Sequence, residues 1–346
     1  MSTSQSENVR IAALGLDHDH VWTVAAEIHA RDDATLVAAA DHDQELRARA
    51  EAQFGVPTYS DHRELLEREE LDAVYIYTNN RASAELAIEA ASLGLHALVE
   101  KPMAANRPDA ERMIAASRQN HTRLMINWPF AWWPNLQRAI ELVLGEDSVG
   151  RLWQVKYRAA HEGIVTMGHS RQFADWVEDA ERAGGGALVD YCCYGAVLAR
   201  VLLGQPDAVC ALAGNFCRDD IEVEDNAVIL MRYPRAMAMA EASWTQHGKI
   251  GAYAPLLYGE RGSLLVGPRA DGGLLRADLE NPAGIEISVP APPAHLKNAT
   301  AHFLWGIRTG APFTALCDPE VCRDATAILD AGLASADSSS VLVEAG

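Results

Sequence analysis

The sequence predicts a two-domain protein: an α/β Rossmann domain with a doubly wound parallel sheet over residues 1–125, then an α+β domain with an open, mostly antiparallel sheet over residues 126–346. Three observations carry this. Residues 9–125 alternate short apolar runs with amphipathic segments of helical spacing, as strands of a parallel sheet covered on both faces do. The alternation breaks at "NWPFAWWPN" (127–135), rich in aromatics and proline. Beyond it, strand-like runs follow one another with few helices between them.

In order, "RIAALGL" reads as a strand and "HVWTVAAEIHA" as a helix. "TLVAAAD" is a second strand, and "QELRARAEAQFG" a helix ended by Gly55. "LDAVYIYT" is a third strand, "ASAELAIEAASLG" a helix with Gly94 at its end, "HALVEKP" a fourth strand, "RPDAERMIAASRQN" a helix and "RLMIN" a fifth strand. After the break come a helix, "LQRAIELVLG", and the strand-like runs "LWQVKYRAAHEG", "DAVCALAGNFC", "NAVILMRYP", "AMAMAEASWTQ" and "GSLLVG". The helix "ALVDYCCYGAVLARVLLG" enters after three glycines, and another near 318–336 closes the chain. Ligands of open α/β sheets sit at the carboxyl ends of the strands, so chemistry is expected there.

With 346 residues the chain is long enough for two cores, and 49% hydrophobic and 22% charged residues suit a globular protein. A net charge of −19 argues against nucleic acid or an anionic membrane as partner. The polar start "MSTSQSENVR" carries no secretory signal, and no uninterrupted apolar run suggests a membrane span. Six cysteines without a CxxC fit neither a zinc pattern nor a disulfide framework, which points to the cytoplasm.

The first strand runs into "GLDHDH" (15–20), where a dinucleotide fingerprint would read G-x-G-x-x-G. Gly15 is in place, with Leu16 after it, but Asp17 and His20 replace the other glycines. A carboxylate about 4 Å from a phosphate costs roughly 4 kcal/mol near a surface. Asp17 is therefore expected to turn away and cap the following helix, while His18 and His20 donate to phosphate oxygens. No distant donor joins Asp17, His18 and His20, so no metal is expected. Asp41, ending the second strand, is placed either to accept the adenosine ribose hydroxyls, favouring NAD over NADP, or to cap the next helix.

"LVEKPMA" (98–104) and "GGGALVDYCCYG" (184–195) together resemble the glucose–fructose oxidoreductase and inositol dehydrogenase family (Gfo/Idh/MocA). "LDAVYIYT", "EASWTQ" and "GERGSLLV" match in family order. The resemblance implies an oxidoreductase that moves a hydride between a nicotinamide and a sugar, polyol or similar hydroxyl or carbonyl carbon, with association through the open sheet into a homodimer or homotetramer. By position, Lys101 matches the family's active-site lysine, with Glu100 and Pro102 shaping the strand end. Asp190 matches the motif aspartate, and Tyr194 stands where the family usually has histidine. Cys192 replaces a motif glycine. Thr78, Asn79 and Asn80 replace Thr-Pro-Asn, and Ser83 stands where histidine is frequent. The degenerate loop leaves an alternative: the same scaffold with a tightly held cofactor, or lyase or hydrolase chemistry.

The chemistry needs a proton carrier beside the reacting oxygen. Tyr194 is assigned that role, with Lys101 lowering its pKa and stabilising an oxyanion. Asp190, one helical turn earlier, orients substrate. Glu100, Thr78 and Asn80 are expected at the cofactor, with Gly15, Leu16, His18, His20, Asp41 and Lys101. Asn127, Trp128 and His161 are expected at the substrate. Trp132, Trp133 and His169 are secondary candidates, and interdomain packing is preferred for at least two of the three tryptophans.

Overall fold

β1 (Val9–Leu14) is almost wholly buried, and it sits inside its sheet because its side chains are apolar on both faces. The computed structural model describes residues 8–339 and 341–344. β2 (Ala34–Ala40), β3 (Thr58–Tyr59), β4 (Ala73–Ile76), β5 (His96–Glu100) and β6 (Leu124–Asn127) join β1 in a parallel sheet of order β3-β2-β1-β4-β5-β6. Helices α1 (His20–His29), α2 (Gln44–Phe54), α3 (His62–Arg68), α4 (Asn80–Ser92) and α5 (Arg107–Gln119) connect them. Asp43, Asp61, Asn79 and Asn106 cap α2 to α5 through side-chain oxygens. The sheet has a sixth strand, β3, too short to carry an apolar run.

Past a 3-10 turn at Pro129–Trp132 come α6 (Pro134–Leu144), β7 (Leu152–Ala160), α7 (Arg171–Val177), α8 (Ala180–Ala183) and α9 (Ala187–Leu203). Strands β8 (Ala208–Gly214), β9 (Asn226–Arg232), β10 (Met237–Ser243), β11 (Leu256–Gly259), β12 (Ser263–Val266), β13 (Leu274–Ala277) and β14 (Ile285–Glu286) follow. α10 (Ala299–Thr309), α11 (Pro319–Asp337) and β15 (Val343–Glu344) complete the chain. The sheet runs β14-β13-β12-β11-β7-β10-β9-β8-β15 and is antiparallel except where β10 lies parallel to β7. α9 packs on its inner face, with α11 beside α9. The apolar stretch Ala180–Leu203 has the length and composition of a membrane span but is mostly buried in this core.

Among the described residues, the other face of the sheet is left partly exposed. Register aligns Cys210, Leu230, Met239, Lys156, Leu256, Leu265 and Leu275 in one cross-strand row, all partly or fully exposed. Before α11, the chain returns to the first domain. α10 lies against α1, where the Thr300 N–H donates to Glu27 and Phe303 meets Tyr75 edge-on at 5.5 Å.

α9 can approach β10 only because Gly195 has no side chain: a Cβ there would lie 2.5 Å from the Cβ of Ala240 and 2.9 Å from its Cα. Gly195→Ala is expected to destabilise the protein by ~2 kcal/mol through overpacking, read as a lower urea midpoint at unchanged m-value.

Candidate active site

The loop after β1 is built around Gly15, at φ +80°, whose missing Cβ would strike the Thr78 side chain at 2.5 Å. Thr78, at the end of β4, thus sets the height of the loop. Gly15 N–H donates to Ala40 O, Leu16 N–H to the Asp41 carboxylate at 2.7 Å and His18 N–H to Tyr77 O. Asp17 does not cap α1. Asp19 stands at the N-cap, its carboxylate taken instead by the Ser170 N–H at 2.6 Å and by His169 Nδ1 at 3.2 Å. The Asp17 carboxyl turns inward, 3.7 Å from Arg182, with one oxygen unpartnered. Burial, then the Asp41 charge, push its pKa up from 3.8 to about 7.

Asp41 does not cap α2 either; Asp43 does, for Asp41 is spent on the loop. Its two oxygens accept the N–H groups of Leu16 and Asp43. With Gly15, His42, His62, Arg63, Thr78 and Asn79 it lines an open cavity of about 590 Å³ at the strand ends. Asn79 reaches this cavity, whereas Asn80, proposed from sequence for the cofactor, is turned into the domain junction: its amide donates to Ala183 O at 2.7 Å. Ser83 donates to Thr78 O.

Lys101 follows β5 through a cis peptide to Pro102 and is 3% exposed. Its ammonium crosses to the second domain, donating to Asp190 Oδ1 at 2.7 Å and Asp190 O at 3.2 Å. Asp190 Oδ2 accepts from Trp244 Nε1 at 3.2 Å. The ammonium lies over the Tyr194 ring, 5.0 Å from its centroid, and 5.8 Å from that of Tyr191. Burial alone would lower the Lys101 pKa, but Asp190 more than offsets it and the net shift is upward. The sequence-based expectation that Lys101 lowers the Tyr194 pKa is overturned. Burial raises that phenol well above its ordinary value, then Cys193 and Glu100 add to the rise, because the charge of Lys101 is spent on Asp190.

His161 closes β7, its N–H bonded to Ser243 O. Nδ1 accepts the Gly163 N–H at 2.9 Å, which leaves the proton on Nε2. The ring meets Tyr191 edge-on at 4.9 Å and lies nearly parallel to Trp244. Burial lowers its pKa to about 4, against the pull of Asp190, so it is a neutral donor at pH 7. Trp128, proposed from sequence for the substrate, is 1% exposed behind Tyr194, its indole N–H directed at Cys322 Sγ. Asn127 is occupied: Nδ2 donates to Glu100 Oε2 at 2.7 Å, and Oδ1 accepts from Trp132. Cys192 is buried against β10, its thiol directed at Ala240 O. Trp133 packs edge-on against Phe130.

Two further features lay outside the sequence reading. His18 and His20 do converge with a third donor, and it is Glu100 rather than Asp17: His20 Nδ1 lies 3.0 Å from Glu100 Oε1 and the His18 and His20 ring centroids are 4.6 Å apart. Residues 169–177 of the second domain form a strap across the loop. Phe173 packs on His18 with centroids 4.5 Å apart, and Trp176 Nε1 donates to Asp17 O. Burial, then the charges of His20, Lys101 and His169, hold the His18 pKa well below its usual value. Tyr191, Tyr253 and Trp244 also belong to the site. The sequence signal for Tyr191 was adjacency to Asp190; within the strap only His169 carried one.

Residues 21–128 match the model of an oxidoreductase family with an NAD-binding Rossmann fold, and residues 138–265 match the GFO/IDH/MocA C-terminal domain. The chain belongs to the Gfo/Idh/MocA family. It is 32% identical over 191 residues to D-xylose 1-dehydrogenase (NADP(+)) 2 of Haloferax volcanii, covering 54% of this chain and only 52% of that one. It is 27% identical to dTDP-3,4-didehydro-2,6-dideoxy-alpha-D-glucose 3-reductase of Streptomyces antibioticus, over 88% of this chain and 90% of that one. In three dimensions it is similar to an inositol dehydrogenase homolog of Azotobacter vinelandii complexed with NAD+, with a TM-score of 0.83, 20% identity and 99% of each chain covered. That likeness shows the fold alone.

Two outcomes follow from the buried charges. Asp17 holds a proton in the folded state up to about pH 7 but loses it near 3.8 when unfolded, so wild-type stability falls as pH rises between those values. The stability gap between Asp17→Asn and wild type should therefore widen by up to ~4 kcal/mol over this range, measured by urea unfolding at several pH values. Asp190→Asn leaves the Lys101 ammonium buried without its counter-charge and is expected to cost ~3 kcal/mol or more, read in the same assay.

Proposed function

We propose that this chain is a nicotinamide-dependent oxidoreductase that reduces or oxidises a sugar, polyol or similar hydroxyl or carbonyl carbon, with residues 1–125 holding the nucleotide and residues 126–346 the substrate. The observation that carries this is the Lys101 ammonium, fixed to Asp190 across the domain junction with the Tyr194 ring beneath it. The names of the curated relatives support it, since one is a xylose dehydrogenase and another a reductase of a nucleotide-linked deoxysugar.

The nucleotide lies along the carboxyl ends of β1, β2 and β4, its adenosine in the cavity beside Asp41, Thr78 and Asn79. The residues present fit that half: an open cavity ends at a carboxylate whose two oxygens keep lone pairs for ribose hydroxyls. We assign NAD in preference to NADP on that carboxylate, which repels a 2′-phosphate. When bound, the nicotinamide supplies or accepts the hydride. The protein's share is to position the substrate oxygen and manage its proton. Lys101 donates to that oxygen and stabilises negative charge on it. Tyr194, protonated at neutral pH, delivers the proton. His161 Nε2–H holds a neighbouring hydroxyl, and Asp190 keeps the ammonium aimed. Both principal groups are loaded with protons, which suits reduction of a carbonyl. The mostly apolar row on the open sheet face, interrupted by Lys156, serves as a seam between copies. Six cysteines, none in a disulfide among the described residues, fit a reducing cytoplasm.

The strap on the loop favours a second reading, in which nucleotide is held tightly and cycles without release. Acid release from freshly purified protein separates the two: stoichiometric copurified nucleotide selects the second, nucleotide-free protein the first.

Titration with NADH and NADPH, followed by nicotinamide fluorescence, and a panel of aldoses, ketoses and polyols test the assignment. NADH should bind more tightly than NADPH, and Asp41→Ala should weaken NADH by about 10-fold while sparing NADPH. Lys101→Met should lower kcat by about 1,000-fold or more with NADH binding retained; unchanged turnover would refute the mechanism. With the pKa values of Lys101 and Tyr194 both raised, kcat/KM for carbonyl reduction should stay flat through neutrality and fall only on the alkaline side.

A further inference from the structure

We propose that His18, His20 and Glu100 form a binding site for one divalent first-row transition ion of the zinc class, at the mouth of the active site. Their ligand atoms, one from each residue, all lie within 4.8 Å of one another. An ion with bonds of about 2.1 Å asks for donors a little over 3 Å apart in a tetrahedron. The His20–Glu100 pair is already at 3.0 Å, and the His18 donor lies within 4.8 Å of both. Two imidazoles and one carboxylate select zinc, cobalt, manganese or iron over calcium or magnesium, which prefer oxygen alone.

The surroundings are those of a held ligand set. Glu100 is 2% exposed, and His20 answers its charge only when protonated, whereas a divalent ion answers it outright. The carboxylate's other oxygen is fixed by Asn127, which is fixed in turn by Trp132, so the donor is aimed from behind. His18 is clamped by the rings of Phe173 and Trp176. One contact must give way: the weak bond from His20 N–H to His18 Nδ1, at 3.3 Å. Three protein donors leave at least one position for a water or a substrate oxygen, as in catalytic rather than structural sites. The site stands on the chain's own side chains and does not rest on the nucleotide assignment.

The test uses the full-length chain, stripped with EDTA and titrated with Co(II). Visible absorption reports the ligand geometry and elemental analysis the stoichiometry. One Co(II) per chain is expected, displaced by Zn(II). His20→Ala and the isosteric Glu100→Gln should each weaken binding by about 100-fold or more, and Asn127→Ala by about 10-fold. His247→Ala, on the surface, should bind as wild type. Circular dichroism verifies that each variant is folded, and Glu100→Gln keeps the test decisive should His20→Ala not fold. Absence of the Co(II) spectrum in wild type, or equal binding by wild type, His20→Ala and Glu100→Gln, overturns the site. NADH fluorescence on the stripped protein is read in parallel, so loss of the metal site and loss of the redox assignment give separate signals.

Discussion

The ion pair between Lys101 and Asp190 is the constraint on which the rest of this site depends. Both groups are withdrawn from water, and neither could be so alone without a cost of several kcal/mol. Because one sits at the tip of a strand in the first domain and the other in the first turns of a helix in the second, satisfying the charge fixes how the domains meet. The aromatic layer of Trp128, Phe130, Tyr157 and Tyr194 fills the space behind the pair and keeps its dielectric low. That layer also explains why the tyrosine stays a phenol: the same dryness that strengthens the salt bridge penalises a second anion beside it.

Most of the first domain was legible from sequence, because its strands are buried on both faces and so read as unbroken apolar runs. β3, with two residues, and α3, with seven, are too short for periodicity to register. α10 carries local signals, an Asn298 cap and a left-handed Gly310 at its end, but they follow a long stretch of proline and loop residues that masks its periodicity. In the second domain the run from Leu152 and that from Met237 were both read as strands, but their parallel pairing is a property of the connection, not of either segment.

At the site, residues tied to a local motif were found and those assembled over distance were not. Lys101 and Asp190 come from short spelled patterns. Asp17 and Asp41 were both placed as candidate helix caps; Asp43 caps α2 in place of Asp41, which holds the loop, while the N-cap position of α1 falls to Asp19, whose carboxylate makes no capping bond. Asn80 was placed one residue too far along a turn, where only the side facing the cavity, Asn79, is available to a ligand. Glu100 was named for the strand end; that it also faces two histidines 80 residues earlier is visible only in three dimensions.

The strap from the second domain bears on timing as well as shape. It is stitched to the loop by Trp176, Ser170 and Phe173 and lies in the same continuous segment that ends at the α9 entrance. On the proposed function, any opening that admits a dinucleotide to that loop must first break the Trp176 and Ser170 bonds of the strap. Under that reading, cofactor exchange and movement of the strap are one mechanical event, and a chain built this way trades rapid exchange for a loop held in place while the nucleotide is bound.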